Sequence, residues 1–349
     1  MTPVRVGVVG AGRWAVGHHL PGLADHPEAE LAAVYDPDKS RAREVARRFG
    51  GVVADDVAAL LEVVDAVLVA SPPAAHHEAG AAALERGLPV LIEKPMTITA
   101  ADAWDLVARA DQNATPLMVG YTFEFTSTSE RVLEAVCELG ALVVVDGVYA
   151  SAMRHLFDGS WPFDVSDPLA VPQAATFADP RVSGGGQARG QLTHLLASAL
   201  RATGCGAHSV TALFRPEGEP VDLHDVLSVD FGTLVASFAS TCALPPGHPP
   251  VWEIRYVGER GTVVHDLPTG AATIRRAGRN VVELPPLSEA ERYPSRAVVQ
   301  RFVDVVLGRG KNPAEGRLGA EVASLLDAAY LSAAHRGSPT PVERPDLQT

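Results

Sequence analysis

The sequence predicts an α/β protein in which a doubly wound parallel sheet is followed by a second, α+β domain. A chain of 349 residues exceeds the size at which one hydrophobic core stops growing, so we expect two domains. Up to about Gly120, apolar runs of strand length alternate with stretches of helical period, which is typical of a parallel sheet covered on both faces. Beyond that point the segments become short and alternating, which indicates antiparallel strands.

The first domain is predicted to span residues 1–122 and to contain five strands. Helical segments follow Gly12, run from Asp38 to Phe49, and follow Ser71, so they supply the crossovers between strands. Each crossover should be right-handed. The apolar runs that predict the strands lie at residues 4–9, 30–35, 65–70, 88–92 and 116–121.

The second domain is predicted to span residues 123–349. Segments such as VLSVDFGTLVASFAS and WEIRYVGERGTVVHDL alternate in polarity around glycine-containing turns, which predicts antiparallel strands. Loops at 155–186 and 244–250 are rich in Pro, Gly and aromatic residues and are candidates for gripping a substrate. Apolar residues at helical spacing predict C-terminal helices within 297–336.

Charge and composition exclude several kinds of function. Asp and Glu outnumber Lys and Arg by 42 to 29, and a net charge of -13 repels nucleic-acid phosphates but attracts cationic small molecules. No apolar run approaches the ~20 residues of a membrane span, and no secretory signal is visible, so we expect a cytoplasmic protein. Cys137, Cys205 and Cys242 lack metal-ligand or redox spacing, so we expect no metal site and three buried small side chains.

Lys94 is unusual because lysine is rare in this chain. The other lysines are Lys39 and Lys311, and the remaining basic residues are arginines. Lys94 directly follows the apolar run that ends at Ile92, within Glu93-Lys94-Pro95. An ε-ammonium is a compact donor whose proton affinity responds to burial, whereas arginine stays charged, so Lys94 is predicted to take part in chemistry. The alternative is a lysine that extends from a strand end into solvent.

A dinucleotide fingerprint follows the first strand. Gly10 permits a tight turn, Gly12 lets the backbone approach a pyrophosphate, and small Ala15 lets helix and strand pack closely. The helix that starts here offers unpaired N-H groups to the phosphates. Asp36 ends the second strand, where a carboxylate accepts hydrogen bonds from ribose hydroxyls and repels a 2′-phosphate, which favours NAD over NADP. Lys39 and Arg41 nearby leave the opposite preference open.

The chain resembles the Gfo/Idh/MocA oxidoreductases, the family of glucose-fructose oxidoreductase and the inositol dehydrogenases. The resemblance extends from about Val4 to Val342 and implies a Rossmann domain followed by an open-faced sheet that also forms a homodimer or homotetramer interface. It also implies hydride transfer between a nicotinamide cofactor and a secondary alcohol of a sugar, cyclitol or related polyol. The segments that carry it are the fingerprint with Trp14, Asp36, SPPAAHHEAGAAALERGLPVLIEKP, VGY at 119–121, GGGQARGQLTH at 184–194, YVGERGTVV and SAAHRGSPTPV.

The resemblance also implies which residues form the site. Lys94 would hydrogen-bond the reacting hydroxyl and His194 would be the general base, since a neutral imidazole is suited to accept a proton near pH 7. His194 could instead simply pack or cap a helix. The cofactor residues expected on this basis are Gly10, Gly12, Arg13, Trp14, Ala15, Asp36, Ser71, Pro72, His77, Glu93 and Lys94. The expected substrate-binding residues are Tyr121, Glu124, Arg154, Trp161, Gln187 and Gln191.

Two positions depart from the family pattern. Gly190 stands where many relatives have an aspartate one helical turn before the histidine, so Gln187 or Gln191 would have to orient the substrate or the imidazole. Glu124 stands where many relatives have an arginine. With Asp158, Asp164 and Asp167 near Trp161, it suggests a substrate that carries ammonium groups. The aspartates could equally be surface residues.

The sequence therefore favours an NAD-dependent dehydrogenase of a sugar ring hydroxyl, and an amino sugar of the aminoglycoside kind is one candidate substrate. One alternative is a ketoreductase of a nucleotide-linked keto-sugar, and another is a catalytically silent NAD-binding sensor.

Overall fold

The computed structural model describes residues 2–160 and 167–345. It forms two compact units. Unit 1 contains the chain up to Tyr121, described residues 167–176 and Ser295–Ala320. Unit 2 contains Thr122 to residue 160, Phe177–Pro294 and the described residues from Glu321 onward.

In chain order, the strands and α-helices are β1 (Val4–Val9), α1 (Leu20–Ala24), β2 (Ala29–Tyr35), α2 (Lys39–Phe49), β3 (Val52–Val53), α3 (Val57–Leu61), β4 (Ala66–Val69), α4 (His76–Glu85), β5 (Val90–Ile92), α5 (Ala100–Gln112), β6 (Leu117–Val119), α6 (Ser127–Cys137), β7 (Leu142–Ala150), α7 (Ala175–Ala178), α8 (Pro180–Ser183), α9 (Thr193–Thr203), β8 (Ser209–Arg215), β9 (His224–Asp230), β10 (Val235–Thr241), β11 (Val251–Gly258), β12 (Gly261–Asp266), β13 (Ala271–Arg276), β14 (Val282–Leu284), α10 (Ser295–Val306), α11 (Gly316–Ala334) and β15 (Thr340–Pro341).

Unit 1 is built on a six-stranded parallel sheet. Its strand order, β3-β2-β1-β4-β5-β6, is that of a doubly wound Rossmann fold, as predicted. Strands β4, β5 and β6 are buried along their whole length, because helices cover both faces of the sheet. The sequence pattern did not predict β3, because a two-residue strand is too short to show a period.

The strands of unit 1 end at one edge of the sheet, and the sequence-predicted cofactor residues follow those ends. Gly10, Asp36 and Lys94 come one or two positions after strands that are paired in register. In a doubly wound sheet this edge, where the strand order reverses, is the usual ligand site. The last strand residues, aligned across four strands, are Val9, Tyr35, Val69 and Ile92.

Unit 2 is built on a nine-stranded sheet in the order β14-β13-β12-β11-β7-β10-β9-β8-β15. All neighbours are antiparallel except β7 and β10, which confirms the predicted, largely antiparallel sheet. Buried and exposed residues alternate along β9, as expected for a strand with one covered face. Helix α6 packs against β12 and β13, and α9 packs against β7 and β11.

The structure differs from the sequence predictions in two respects. Helix α10, predicted as part of the second domain, groups with unit 1, where Gly22 packs against Arg296 and Val299 without room for a Cβ. Of the three cysteines, which were expected to be buried, only Cys242 is; Cys137 and Cys205 are exposed. Within the described residues, no helix is both long enough and apolar enough to span a membrane.

Candidate functional site

The glycine loop after β1 has the shape that a dinucleotide requires. Gly10 adopts a φ of +103°, and a Cβ added there would lie 2.5 Å from the Ser71 backbone nitrogen, so a larger residue does not fit. A Cβ added at Gly12 would meet nothing within 4 Å, so this part of the loop faces open space. Ala15 is fully buried at the start of a π-helical turn, Ala15–His19. The loop therefore leaves room for a ligand above the helix N-terminus.

The loop itself holds Asp36 in place at the end of β2. Its Oδ2 accepts a hydrogen bond of 2.8 Å from the Ala11 backbone N-H, and its Oδ1 accepts one of 2.9 Å from the Asp38 N-H. Each carboxylate oxygen keeps acceptor capacity for a further hydroxyl. The residues of this edge thus fit the adenosine half of NAD.

Lys39 and Arg41, which left a preference for NADP open, both point to backbone carbonyls. Lys39 donates to the carbonyl oxygens of Ala54 and Asp55 at 2.8 and 2.6 Å. Arg41 donates to Leu169 O at 3.0 Å and, more weakly at 3.4 Å, to Ala11 O. Both cations therefore already have acceptors.

The segment around Leu169 contacts the first helices of the Rossmann unit. Asp167 accepts hydrogen bonds from two guanidinium nitrogens of Arg48, at 2.5 and 3.2 Å. A 3-10 turn, Pro168–Ala170, then brings the Leu169 carbonyl to Arg41 beside the glycine loop. Asp167, one of the aspartates considered for a cationic substrate, thus has an arginine partner. Trp161 and Asp164 lie outside the described residues.

His76, rather than His77, lies beside the strand-end loops. The His76 ring is buried, with Nε2 2.7 Å from Ser71 O and Nδ1 3.0 Å from Pro95 O. His77 Nε2 instead lies 2.7 Å from the Asp105 carboxylate on α5, at a partly exposed position. His77, the predicted cofactor residue, thus pairs with α5, whereas His76 contacts the carbonyl groups of the strand-end loops. The preceding Ser71 has a buried hydroxyl with no hydrogen-bond partner among the described residues, and it is followed by Pro72.

Glu93 and Lys94 are the two polar residues that directly follow β5. Glu93 Oε1 accepts a 2.7 Å hydrogen bond from His19 Nε2, and Oε2 accepts the Lys94 backbone N-H at 3.0 Å. Burial alone would raise the pKa of Glu93, but the His19 hydrogen bond and the charges of His19 and Lys94 hold it below its usual range. Burial lowers the pKa of the Lys94 ammonium, and the Glu93 charge opposes that shift.

At the start of the first helix, Arg13 and Trp14 are half-buried. The Trp14 ring lies 4.1 Å from that of His18. Tyr121 is buried where the chain leaves β6.

In unit 2, His194 lies in an aromatic cluster at the start of α9. The histidine is buried, and the edge of Phe123 meets its ring at a centroid distance of 5.4 Å. Phe123 also contacts Trp252 at 5.3 Å and Tyr293 at 5.2 Å. A π-helical turn, Ala188–Leu192, precedes α9, and such turns are frequent at functional sites.

A tyrosine and a glutamine form a buried hydrogen bond close to Gly190 in the chain. Tyr149 donates a buried 2.8 Å hydrogen bond to Gln191 Oε1 and stacks on Trp252 at 4.6 Å. A Cβ added at Gly190 would approach only the Phe157 ring, at 3.9 Å, so space does not demand glycine there. Gln187 is fully buried, and neither of its amide atoms has a hydrogen-bond partner among the described residues.

Asp222 holds the start of this helical segment. Its two carboxylate oxygens accept the backbone N-H groups of Gly186 and Ala188 at 2.8 and 2.7 Å, while its carbonyl accepts that of Gln187. Tyr330 donates a further hydrogen bond of 2.6 Å to the same carboxylate. The helix that carries His194 is thus capped by a residue from another part of unit 2.

Glu124, for which a substrate role was predicted, pairs with two residues of α9. This carboxylate is buried and accepts hydrogen bonds from Arg201 at 2.8 Å and Ser198 at 2.5 Å, both on α9. The negative charge that replaced the family arginine is therefore compensated inside the protein. Arg154 likewise pairs with Glu217 at 2.7 Å, while Asp158 accepts from Ser160.

Several site residues gave no signal in the sequence. His19, Asp222 and Arg201 act through contacts with residues 34 to 77 positions away. Only His19 could have been suspected, because it follows the fingerprint closely. Among the described residues, no three His, Cys, Asp or Glu side chains gather as metal ligands would.

Residues 4–121 match the Gfo/Idh/MocA family, described as "Oxidoreductase family, NAD-binding Rossmann fold". The chain is similar to inositol 2-dehydrogenase 1 of Saccharopolyspora erythraea, with 37% identity over 169 residues that cover 46% of this chain and 50% of that protein. It is also similar to dTDP-3,4-didehydro-2,6-dideoxy-alpha-D-glucose 3-reductase of Saccharopolyspora spinosa, with 39% identity over 123 residues, or 35% of this chain and 37% of the reductase. The matched part thus spans half or less of these relatives.

The solved structure of GenD2 from gentamicin A biosynthesis, in complex with NAD, is similar over nearly the whole chain. The TM-score is 0.79 at 24% identity, and the match covers 99% of this chain and 97% of that one. The oxidoreductase domain protein from Kribbella flavida gives a TM-score of 0.82 at 21% identity, over 99% of this chain and 100% of that one. At such identities the likeness establishes the fold of both units.

Proposed function

From the premise that residues 4–121 belong to the Gfo/Idh/MocA oxidoreductase family, with its NAD-binding Rossmann fold, we propose that the chain is an NAD-dependent dehydrogenase. It would oxidise a secondary hydroxyl of a sugar or sugar-like ring to a ketone. One observation carries the proposal: the glycine loop, Asp36 and Lys94 follow aligned strands at the same edge of one parallel sheet. A cofactor cradle and a buried lysine at that edge suit hydroxyl oxidation.

NAD, when bound, would accept the hydride from the carbinol carbon. The open space at Gly12 and the N-H groups of the helix that follows would take the pyrophosphate. Asp36 would accept hydrogen bonds from the ribose hydroxyls with the lone pairs that Ala11 and Asp38 leave unused.

Asp36→Ala is expected to narrow the preference for NAD over NADP, because the charge that repels a 2′-phosphate is lost. Asp36→Asn removes the negative charge but keeps the size of the side chain and an oxygen that can accept the Ala11 N-H, so it separates the effect of charge from that of shape. Fluorescence titration with both cofactors measures the effect. Equal affinities of the unmodified protein for NAD and NADP would contradict the assignment.

Lys94 and His194 would share the proton transfer. The ammonium of Lys94 would donate a hydrogen bond to the reacting hydroxyl oxygen and stabilise negative charge as it develops there. An imidazole nitrogen of His194 would accept the hydroxyl proton. The Tyr149 and Gln191 pair, with buried Gln187, would supply polar contacts to the ring in place of the absent aspartate.

Two classes of substrate fit this reaction, namely an uncharged sugar or cyclitol ring and an amino sugar. The net charge of -13 favours a cation, and a protein of similar fold belongs to gentamicin A biosynthesis. Because Glu124 is already paired with Arg201, however, an ammonium group would have to be recognised by other groups. A reductase working in the opposite direction is the second candidate, and the similarity to a keto-sugar reductase favours it.

NADH formation measured against a panel of sugars, cyclitols, amino sugars and N-acetylated amino sugars tests the proposal. Turnover of any of them supports a dehydrogenase, and comparison of amino and acetylated forms reveals any preference for positive charge. If NAD binds but no compound is oxidised and no keto-sugar is reduced, the chain is instead a silent sensor.

We further propose that a second copy of the chain covers the exposed face of the unit 2 sheet. Valines and a leucine project from this face at 37 to 57% exposure, an unusually apolar surface for solvent contact. The double substitution Val148→Glu and Val226→Glu is expected to reduce the mass measured by light scattering to that of one chain, 36.7 kDa. An unmodified protein that is already monomeric contradicts this. The residues are Val144, Val148, Leu213, Val226, Val235 and Val251.

A further inference from the structure

Glu93 is a buried carboxylate that is held from three sides. His19 Nε2 donates to Oε1 at 2.7 Å, and the Lys94 backbone N-H donates to Oε2 at 3.0 Å. At Gly120, a Cβ would lie 2.5 Å from Oε1, so the lack of a side chain there makes room for the carboxylate. This packing fixes the carboxylate against the backbone of Lys94, and the Glu93 charge opposes the fall in the Lys94 pKa that burial causes.

His19 belongs to the helix that starts at the cofactor loop. It ends the π-helical turn Ala15–His19 and is fully buried, and among the described residues its ring forms a hydrogen bond only with Glu93 Oε1. The ring therefore ties the cofactor-binding helix to the end of β5. A buried carboxylate without such a donor would take up a proton rather than stay charged.

Two further histidines lie near Glu93. Burial, followed by the charges of His19 and Arg13, lowers the pKa of His18 to about 4, and the Glu93 charge opposes this shift while Arg296 adds to it. Burial also lowers the pKa of His76, against the opposing Glu93 charge. Both rings are therefore neutral near pH 7.

We propose that Glu93, held by His19, is a positioning residue that keeps Lys94 a cation and thus a hydrogen-bond donor rather than a base. This rests on the proposed function, because it divides donor and base between Lys94 and His194. A lysine buried alone readily becomes neutral, whereas one beside an opposite charge keeps its proton. A neutral Lys94 could compete with His194 for the substrate proton.

The scarcity of lysine makes a direct test possible. In protein labelled with 13C at the lysine side chains, only Lys39, Lys94 and Lys311 give signals, and the one lost in Lys94→Ala is that of Lys94. Its pKa can be titrated by NMR in protein without cofactor or substrate. Glu93→Gln is expected to lower the Lys94 pKa by about 1 unit or more, a tenfold loss of proton affinity. The matched control is Glu85→Gln, which removes a surface carboxylate paired with Arg109 and should leave Lys94 unchanged.

Two substitutions at His19 separate its hydrogen bond from its bulk. His19→Leu removes the donor, so Glu93 should take up a proton and Lys94 should titrate as in Glu93→Gln. His19→Gln keeps an N-H donor and should stay closer to the unmodified protein. If Glu93→Gln does not fold, His19→Leu carries the test, and circular dichroism with the midpoint of thermal unfolding serves as the check on folding.

Equal Lys94 pKa values in Glu93→Gln and Glu85→Gln overturn the proposal, as does a Lys94 that is neutral at pH 7 in the unmodified protein. The titration needs no turnover. It therefore tests the role of Glu93 even if no dehydrogenase activity is found. Likewise, the activity screen tests the proposed function even if Glu93 has no effect on the Lys94 pKa.

Discussion

Lys94→Ala and His194→Ala are each expected to lower turnover about 100-fold or more while leaving the dissociation constant for NAD nearly unchanged. The physical reason is that both side chains would act on the proton that leaves the hydroxyl, not on the adenosine half of the cofactor. Steady-state rates and fluorescence titration measure the two effects separately. Since both groups are assigned to one step, the loss in the double variant should be smaller than the product of the single losses.

The controls for this pair are Lys311→Ala and His335→Ala, which remove the same residue types from exposed positions. Neither should change turnover by more than a small factor. If His194→Ala keeps near-normal turnover, the base lies elsewhere, and Tyr121 becomes the next candidate.

Arg201→Met is expected to lower the free energy of unfolding by about 2 to 4 kcal/mol, because it leaves the Glu124 carboxylate buried without its cation. The expected loss of unfolding free energy lies toward the lower end of this range, because the Arg201 side chain is 18% exposed and water can replace part of the contact. Urea denaturation measures the loss. Glu124→Gln combined with Arg201→Met removes both charges and should recover most of the stability.

Arg255→Met provides the comparison, since its contacts with Asp146 and Glu253 are exposed and should contribute at most about 0.5 kcal/mol. If Arg201→Met lowers the free energy of unfolding no more than Arg255→Met does, the burial of the Glu124 carboxylate does not depend on Arg201. In that case, a larger effect of Glu124→Gln on the KM of an amino sugar than on that of its N-acetylated form would return Glu124 to substrate recognition.

Local patterns were sufficient to predict the parallel sheet and the place of its cofactor loop. Short apolar runs in the sequence predicted the strands of unit 1. The roles of Gly10, Gly12 and Asp36 were predicted from their spacing along the chain. The end of β5 was predicted for the same reason, since Lys94 directly follows an apolar run. The structure placed each of these features at the predicted edge.

The partners of buried charges could not be predicted in this way. Glu124 looked like a substrate ligand because Arg201 lies 77 positions further along the chain, and no periodicity links the two residues. His77 was preferred to His76 for a similar reason, because only packing between α4 and α5 turns one ring to Asp105 and the other to the strand-end carbonyls.

The sequence by itself determined the fold class, the order of the elements in unit 1 and the dinucleotide loop, because these depend on the polarity and conformational freedom of residues close together in the chain. Only the tertiary structure decided that residues 167–176 and α10 join the Rossmann unit, that Arg201 pairs with Glu124, and that His19 holds Glu93. The physical reason is that a buried charge is stabilised by whichever donor the packing brings within about 3 Å, and that distance in space is independent of distance along the chain.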